Sequence, residues 1–166
     1  RLPHPRQVII LSVFYTKYRC AISQLKKGLE KLQPVPHRLQ LIENNGAYIL
    51  DDGYNCNLRG AKEGIAALTR FGGGKCIVTP GIVECGILEE KINGELGKMI
   101  AEAKLDQVIL VGDTLVGAVK SGYLAAGGNA DNLTVTPTLD GAKAILQDWV
   151  KTGDAVLFLN DLPDVY

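Results

Sequence analysis

Two carboxylates, a phenol and two amides crowd into the seven residues Asp51-Asp52-Gly53-Tyr54-Asn55-Cys56-Asn57. Side chains of this kind accept hydrogen bonds from sugar hydroxyls, hold a cation or orient an amine. The same composition also suits a plain turn running into a helix N-cap, because Asp and Asn readily bond neighbouring backbone N–H groups. Composition alone leaves both readings open.

Arg38 follows the stiff Pro34-Val35-Pro36-His37 stretch. A guanidinium on so restricted a backbone can grip phosphate through paired hydrogen bonds, though a solvated surface arginine is the commoner outcome. His37 is either a base or, more in keeping with its place at a hinge, a structural histidine. Residues 79–86 (Thr-Pro-Gly-Ile-Val-Glu-Cys-Gly) read as a loop between strand and helix. Its amides could meet an anion at the helix start, and its Glu84 could orient a ligand amine. No base is marked beside Cys85, so it reads as a structural thiol. Asp113 or Thr114 suits a helix N-cap. Asn160 and Asp161 open a polar tail that either faces a substrate amine or merely tethers the C-terminus.

Absent motifs bound the chemistry. The chain holds neither a Gly-x-x-x-x-Gly-Lys-Ser/Thr phosphate loop nor a Gly-x-Gly-x-x-Gly after a strand. Gly72-Gly73-Gly74-Lys75 stands after a helix and before a strand, the reverse of phosphate-loop order. Lys plus Arg equals Asp plus Glu at 18 each, without the basic excess of a general nucleic-acid binder. The four cysteines (Cys20, Cys56, Cys76, Cys85) form no C-x-x-C pair and are joined by only two histidines, which argues against structural zinc. They read as reduced thiols of a cytoplasmic protein. No apolar run approaches the ~20 residues that span a bilayer. The sole methionine is Met99 and the chain opens at Arg1, so the natural protein is expected to start further upstream.

The elements that must position these residues are legible from period and punctuation. Ile22, Leu25, Leu29 and Leu32 recur at helical spacing, with Ser23 as N-cap and Pro34 and Pro36 as terminators. Residues 39–42 and 47–50 flank Asn44-Asn45-Gly46, a strong hairpin signal. Helices are expected over residues 59–70, 88–103, 114–126 and 139–150, and strands over 75–79, 108–111, 133–135 and 155–159. Gly72-Gly73-Gly74 would close the first of these helices in a left-handed C-cap. Continuous apolar strands alternating with helices imply an α/β, Rossmann-like, doubly wound and mostly parallel sheet, with an antiparallel N-terminal edge hairpin and helices on both faces. Ligands of such sheets sit at the carboxyl ends of the strands.

Pro36-His37-Arg38, a hairpin, then Asp51-Asp52-Gly53-Tyr54-Asn55-Cys56-Asn57 resembles the start of the C-terminal domain of the Mur ligases. The Asp-Asp-x-Tyr-Asn-x-Asn run most resembles the member that adds D-alanyl-D-alanine to a UDP-muramoyl tripeptide. The resemblance covers about residues 22–155. It implies that residues 1–36 are the tail of a central domain plus its hinge, and that residues 37–166 are the C-terminal domain. It further implies a cytoplasmic, ATP-dependent, amide-forming ligase of peptidoglycan synthesis. ATP and Mg2+ would be held mainly by a central domain of the same chain, with a UDP-muramoyl peptide and a small amine as substrates. Nucleic acid and membrane insertion are not implied. By the same carry-over Arg38 and Asp52 would bind nucleotide, while Asp51, Tyr54, Asn55, Asn57, Glu84, Asn160 and Asp161 would face the cleft. No catalytic residue and no metal ligand is expected in this domain alone, which would be inactive by itself.

Two positions depart from the family pattern. Leu58 stands where a proline usually follows Asn-x-Asn. The last strand leads to Asn160-Asp161-Leu162-Pro163 instead of a Lys-Gly-Ser-Arg-like run. A divergent ligase with another amine, a folylpolyglutamate-type relative, a non-catalytic α/β binding module and a purely structural interaction domain stay open beside the leading reading.

Overall fold

The computed structural model describes residues 35–54 and 56–160. The expected helix over residues 22–32, together with Asn55, Asp161 and the rest of the tail, lies outside them.

The chain enters through β1 (Gln40–Asn44) and β2 (Ala47–Asp52), paired antiparallel. Asn45 and Gly46 both hold positive φ, 50° and 80°, the backbone a two-residue hairpin turn requires. Next come α1 (Leu58–Leu68), β3 (Lys75–Thr79), the first of two 3-10 turns (Gly86–Leu88, the other being Ala130–Asn132) and α2 (Glu89–Glu102). Then follow β4 (Gln107–Val111), α3 (Val116–Ala125), β5 (Leu133–Thr136), α4 (Leu139–Trp149) and β6 (Ala155–Leu159).

The sheet order is β1-β2-β6-β3-β4-β5, and every pairing except β1 with β2 is parallel. The central strands β6, β3 and β4 are apolar at nearly every position because both of their faces are covered. Leu50, Ile77, Val108, Leu110, Leu157 and Leu159 project to one face, against Ala61, Ile65, Leu68, Leu96, Ile100 and Val119 of α1, α2 and α3. Cys76, Val78, Ile109, Val111 and Val156 project to the other, where α4 supplies Ala142, Leu146 and Trp149. Among the described residues helices thus cover both faces, three against one. The side with more helices needs a tight α2–α3 crossing, and glycine supplies it. A Cβ on Gly97 would sit 2.0 Å from Val119 O, and one on Gly122 2.0 Å from Gly94 O.

Two local expectations are corrected. Helix α1 ends at Thr69 in right-handed backbone (φ −64°), and none of Gly72, Gly73 and Gly74 has positive φ. The glycine run exists for close approach, not for a left-handed cap: a Cβ on Gly73 would lie 2.3 Å from Gly153 O. Helix α3 starts later than expected, with Leu115 at its cap position and no side-chain cap bond. The Thr114 hydroxyl instead donates to Asp113 Oδ1 at 3.3 Å.

Candidate functional site

The loops that follow β2 and β3 and the first residue after β6, Asn160, converge at the carboxyl edge of the sheet, because those strands are neighbours and parallel. His37 and Leu39 approach this edge with φ of 57° and 51°. Left-handed backbone at two such residues costs on the order of 1–3 kcal/mol each and persists only where surroundings enforce it. The enforcement is visible. Leu39 is buried in the core, Tyr54 N–H donates to His37 O at 2.9 Å, and His37 Nδ1 donates to Asp51 Oδ2 at 2.8 Å.

The strand period of two sends Asp51 and Asp52 to opposite faces of β2. The Asp51 side chain is 20% exposed; its Oδ1 accepts from Gly53 N–H at 3.1 Å, closing a tight Asx turn. Asp52 is only 7% exposed, with Oδ2 beside α1 near Gly64. Tyr54 is exposed, and the Arg38 guanidinium lies over its ring, 4.0 Å from the centroid. Stacking of this kind is worth about 0.5–1 kcal/mol at an exposed site and leaves the in-plane N–H groups available to an anion. Arg38, Asp51 and Tyr54 therefore share one rim, tied together through His37, while Asp52 is buried beside α1.

Other candidates are placed differently. Asn57 is the N-cap of α1, its Oδ1 accepting from Gly60 N–H at 3.0 Å. Glu84 is exposed, with left-handed backbone (φ 60°), on the loop after β3. Two amides of that loop are already engaged. Gly81 N–H donates to Thr79 Oγ1 and Ile82 N–H to Asn93 Oδ1, so neither is available to an anion. Asn160 is fully buried; its amide bonds Cys56 N–H and Gly81 O rather than lining an open cleft.

Sequence reasoning passed over Asn93, which is fully buried in α2 and braces the loop after β3. A signal for it existed: Asn93 lies on the same helical stripe as Leu96 and Ile100, where a polar residue must bond something. Cys76 is buried in the core, and burial pushes its thiol well above the ordinary thiol range. Cys56 is buried and Cys85 half-buried. Among the described residues no group of three or more His, Cys, Asp or Glu could hold a metal ion. Nor is any helix among them long and apolar enough to cross a membrane. A groove of about 740 Å³ lies on the α4 face, between Ile49, Phe158, Leu146 and Val150, and none of the candidate residues lines it.

With this geometry in view, comparisons with known proteins agree on one family. Residues 37–160 match the family described as Mur ligase, glutamate ligase domain. Comparison with curated proteins returned no match. The chain superposes on the MurF ligase of Thermotoga maritima, solved in complex with ADP, at a TM-score of 0.66 and 27% identity, covering 90% of this chain and 32% of that one. MurF from Acinetobacter baumannii gives a TM-score of 0.67 and 26% identity, with the same 90% and 32% coverage. The UDP-N-acetylmuramate-alanine ligase MurC of Thermotoga maritima shares the fold at 13% identity and a TM-score of 0.60, covering 95% and 34%. The chain spans about a third of the length of these structures.

Proposed function

The chain belongs to the Mur ligase family through its glutamate ligase domain, and from that premise we propose that it is the C-terminal domain of an ATP-dependent, amide-forming ligase of peptidoglycan synthesis. In this reading residues 1–36 end a central domain and form the hinge, and residues 37–166 close over ATP held by that domain. The substrates are a UDP-muramoyl peptide and a small amine, with D-alanyl-D-alanine the first choice. The two MurF structures similar to this chain at 26–27% identity support that choice. The protein works in the cytoplasm, where both substrates are made.

One observation carries the reading. The Arg38 guanidinium is stacked on Tyr54, on the rim that holds Asp51, and no hydrogen-bond acceptor among the described residues engages it. A planar cation presented in this way suits a phosphate. Beside it Asp52 accepts from ribose hydroxyls, while Asp51, Tyr54 and Asn55 line the cleft. Asn57 contributes by fixing the start of α1, and Glu84 and Asp161 face the incoming amine. Mg2+ would be held with ATP on the central domain, where it would supply charge neutralisation for the transferring phosphoryl group. This domain's own part is to place charge and shut out water, so that an acyl phosphate of the muramoyl peptide meets the amine before it meets water.

A different amine is the second reading. It is favoured by the residues after β6, Asn160-Asp161-Leu162-Pro163, in place of the usual basic run. The test is ADP release by the full-length protein. ADP should form only when a UDP-muramoyl peptide and an amine are both present, D-alanyl-D-alanine serving best, and residues 37–166 alone should form none. ADP release independent of both substrates would refute the ligase reading; preference for another amine would select the second.

A further inference from the structure

Asn160 is the first residue after β6, fully buried, with left-handed backbone at φ 68°. Three of its polar groups bond three different segments. The backbone N–H donates to Asp52 O at 3.1 Å, at the end of β2. Side-chain Oδ1 accepts from Cys56 N–H at 3.0 Å, in the loop before α1. Side-chain Nδ2 donates to Gly81 O at 2.8 Å, in the loop after β3. Asn93 then continues the chain of bonds. It accepts from Ile82 N–H at 2.8 Å and donates to Ile82 O and Glu89 O, each at 3.0 Å.

Few residues meet these demands together. The side chain must present one acceptor and one donor at the same short reach. Aspartate lacks the donor, glutamine is a methylene too long, and serine and threonine offer a single, shorter hydroxyl. The backbone must also sit in the left-handed region, which asparagine tolerates better than most non-glycine residues. Burial strengthens the bonds and makes losing either one expensive. These two side-chain bonds tie the loop after β2 to the loop after β3 at this edge.

We propose that Asn160 is a positioning residue that locks the loop carrying Tyr54 and Asn57 to the loop carrying Glu84, so that the two sides of the cleft move as one body. Asn160 is sealed from the cleft and touches no substrate. Naming those sides as nucleotide-facing and amine-facing rests on the function proposed above; the locking itself does not.

Two variants of the full-length protein test it. Asn160→Gly keeps the left-handed backbone without strain and deletes both side-chain bonds. Asn160→Asp keeps an acceptor for Cys56 N–H and deletes the donor to Gly81 O. Amide hydrogen exchange is read at Cys56, at Ile82 and at Ile109 in the buried β4, and KM is measured separately for ATP and for the amine. In Asn160→Gly, exchange at Cys56 and Ile82 should rise by about tenfold or more, the equivalent of one lost buried bond, with Ile109 unchanged and both KM values raised. In Asn160→Asp, Ile82 exchange and the amine KM should rise by about tenfold, while Cys56 exchange and the ATP KM stay within about threefold. Unchanged exchange in Asn160→Gly, or equal acceleration at Ile109, overturns the lock. Faster loop exchange with both KM values unmoved overturns positioning. If the wild-type protein forms ADP without either substrate, the ligase reading fails, and exchange still decides the lock.

Discussion

Removing the Arg38 side chain should weaken ATP use far more than it weakens the fold. The guanidinium is 4.0 Å from the Tyr54 ring centroid and engages no hydrogen-bond acceptor among the described residues. Its contribution to stability is therefore the stack, about 0.5–1 kcal/mol. For a domain of this size that lowers the melting temperature by only about 1–4 °C. Toward a phosphate the same group offers a charge-assisted hydrogen bond of about 1.5–3 kcal/mol. At 1.4 kcal/mol per decade, Arg38→Ala in the full-length protein should raise the KM for ATP by about 10- to 100-fold. Arg38→Lys keeps the charge but loses the planar fork and the stack, so it should recover less than half of that free energy. Tyr54→Phe keeps the ring and should behave like wild type. The assay is initial-rate ADP release against ATP concentration, with UDP-muramoyl peptide and amine saturating. An ATP KM within about twofold of wild type for Arg38→Ala, with kcat unchanged, would remove Arg38 from the nucleotide site and take with it the argument built on the stacked cation.

Two further expectations concern the scaffold. Gly97→Ala should destabilise by about 1–3 kcal/mol, because its methyl group must displace Val119 O at the α2–α3 crossing. Gly94→Ala on the same helix, where an added Cβ meets nothing within 4 Å, should stabilise by about 0.5–1 kcal/mol through helix propensity; urea unfolding of the pair checks both signs. The Cys76 thiol, raised by burial above its ordinary 9.0, stays protonated in the folded state. Its stabilising contribution is complete below pH 9.0 and declines as the pH rises beyond it, since the unfolded chain then releases the proton first. Unfolding midpoints from pH 8 to about 10.5 should therefore fall less steeply in Cys76→Ala than in wild type.

Much of this protein is decided locally. Strand and helix periods, the Asn45-Gly46 turn and the unbroken apolar runs of β3, β4 and β6 are short-range properties. They marked the α/β class and its elements to within a few residues. The meeting of Tyr54 with Arg38, and of Asp51 with His37, was legible in outline for the same reason, since a single hairpin separates them. What the chain could not disclose along its length is strand order. β6 is made last yet lies between β2 and β3. Only that placement carries Asn160 to Cys56 and Gly81, 104 and 79 residues away in the sequence. Asn160 therefore read as a polar tail residue, when packing makes it the buried junction of two loops. Gly73 read as a helix cap for the same reason: the partner that excludes its side chain, Gly153, lies on a distant turn. Local bonding sets the elements, whereas burial and close approach between distant segments exist only once the sheet has assembled.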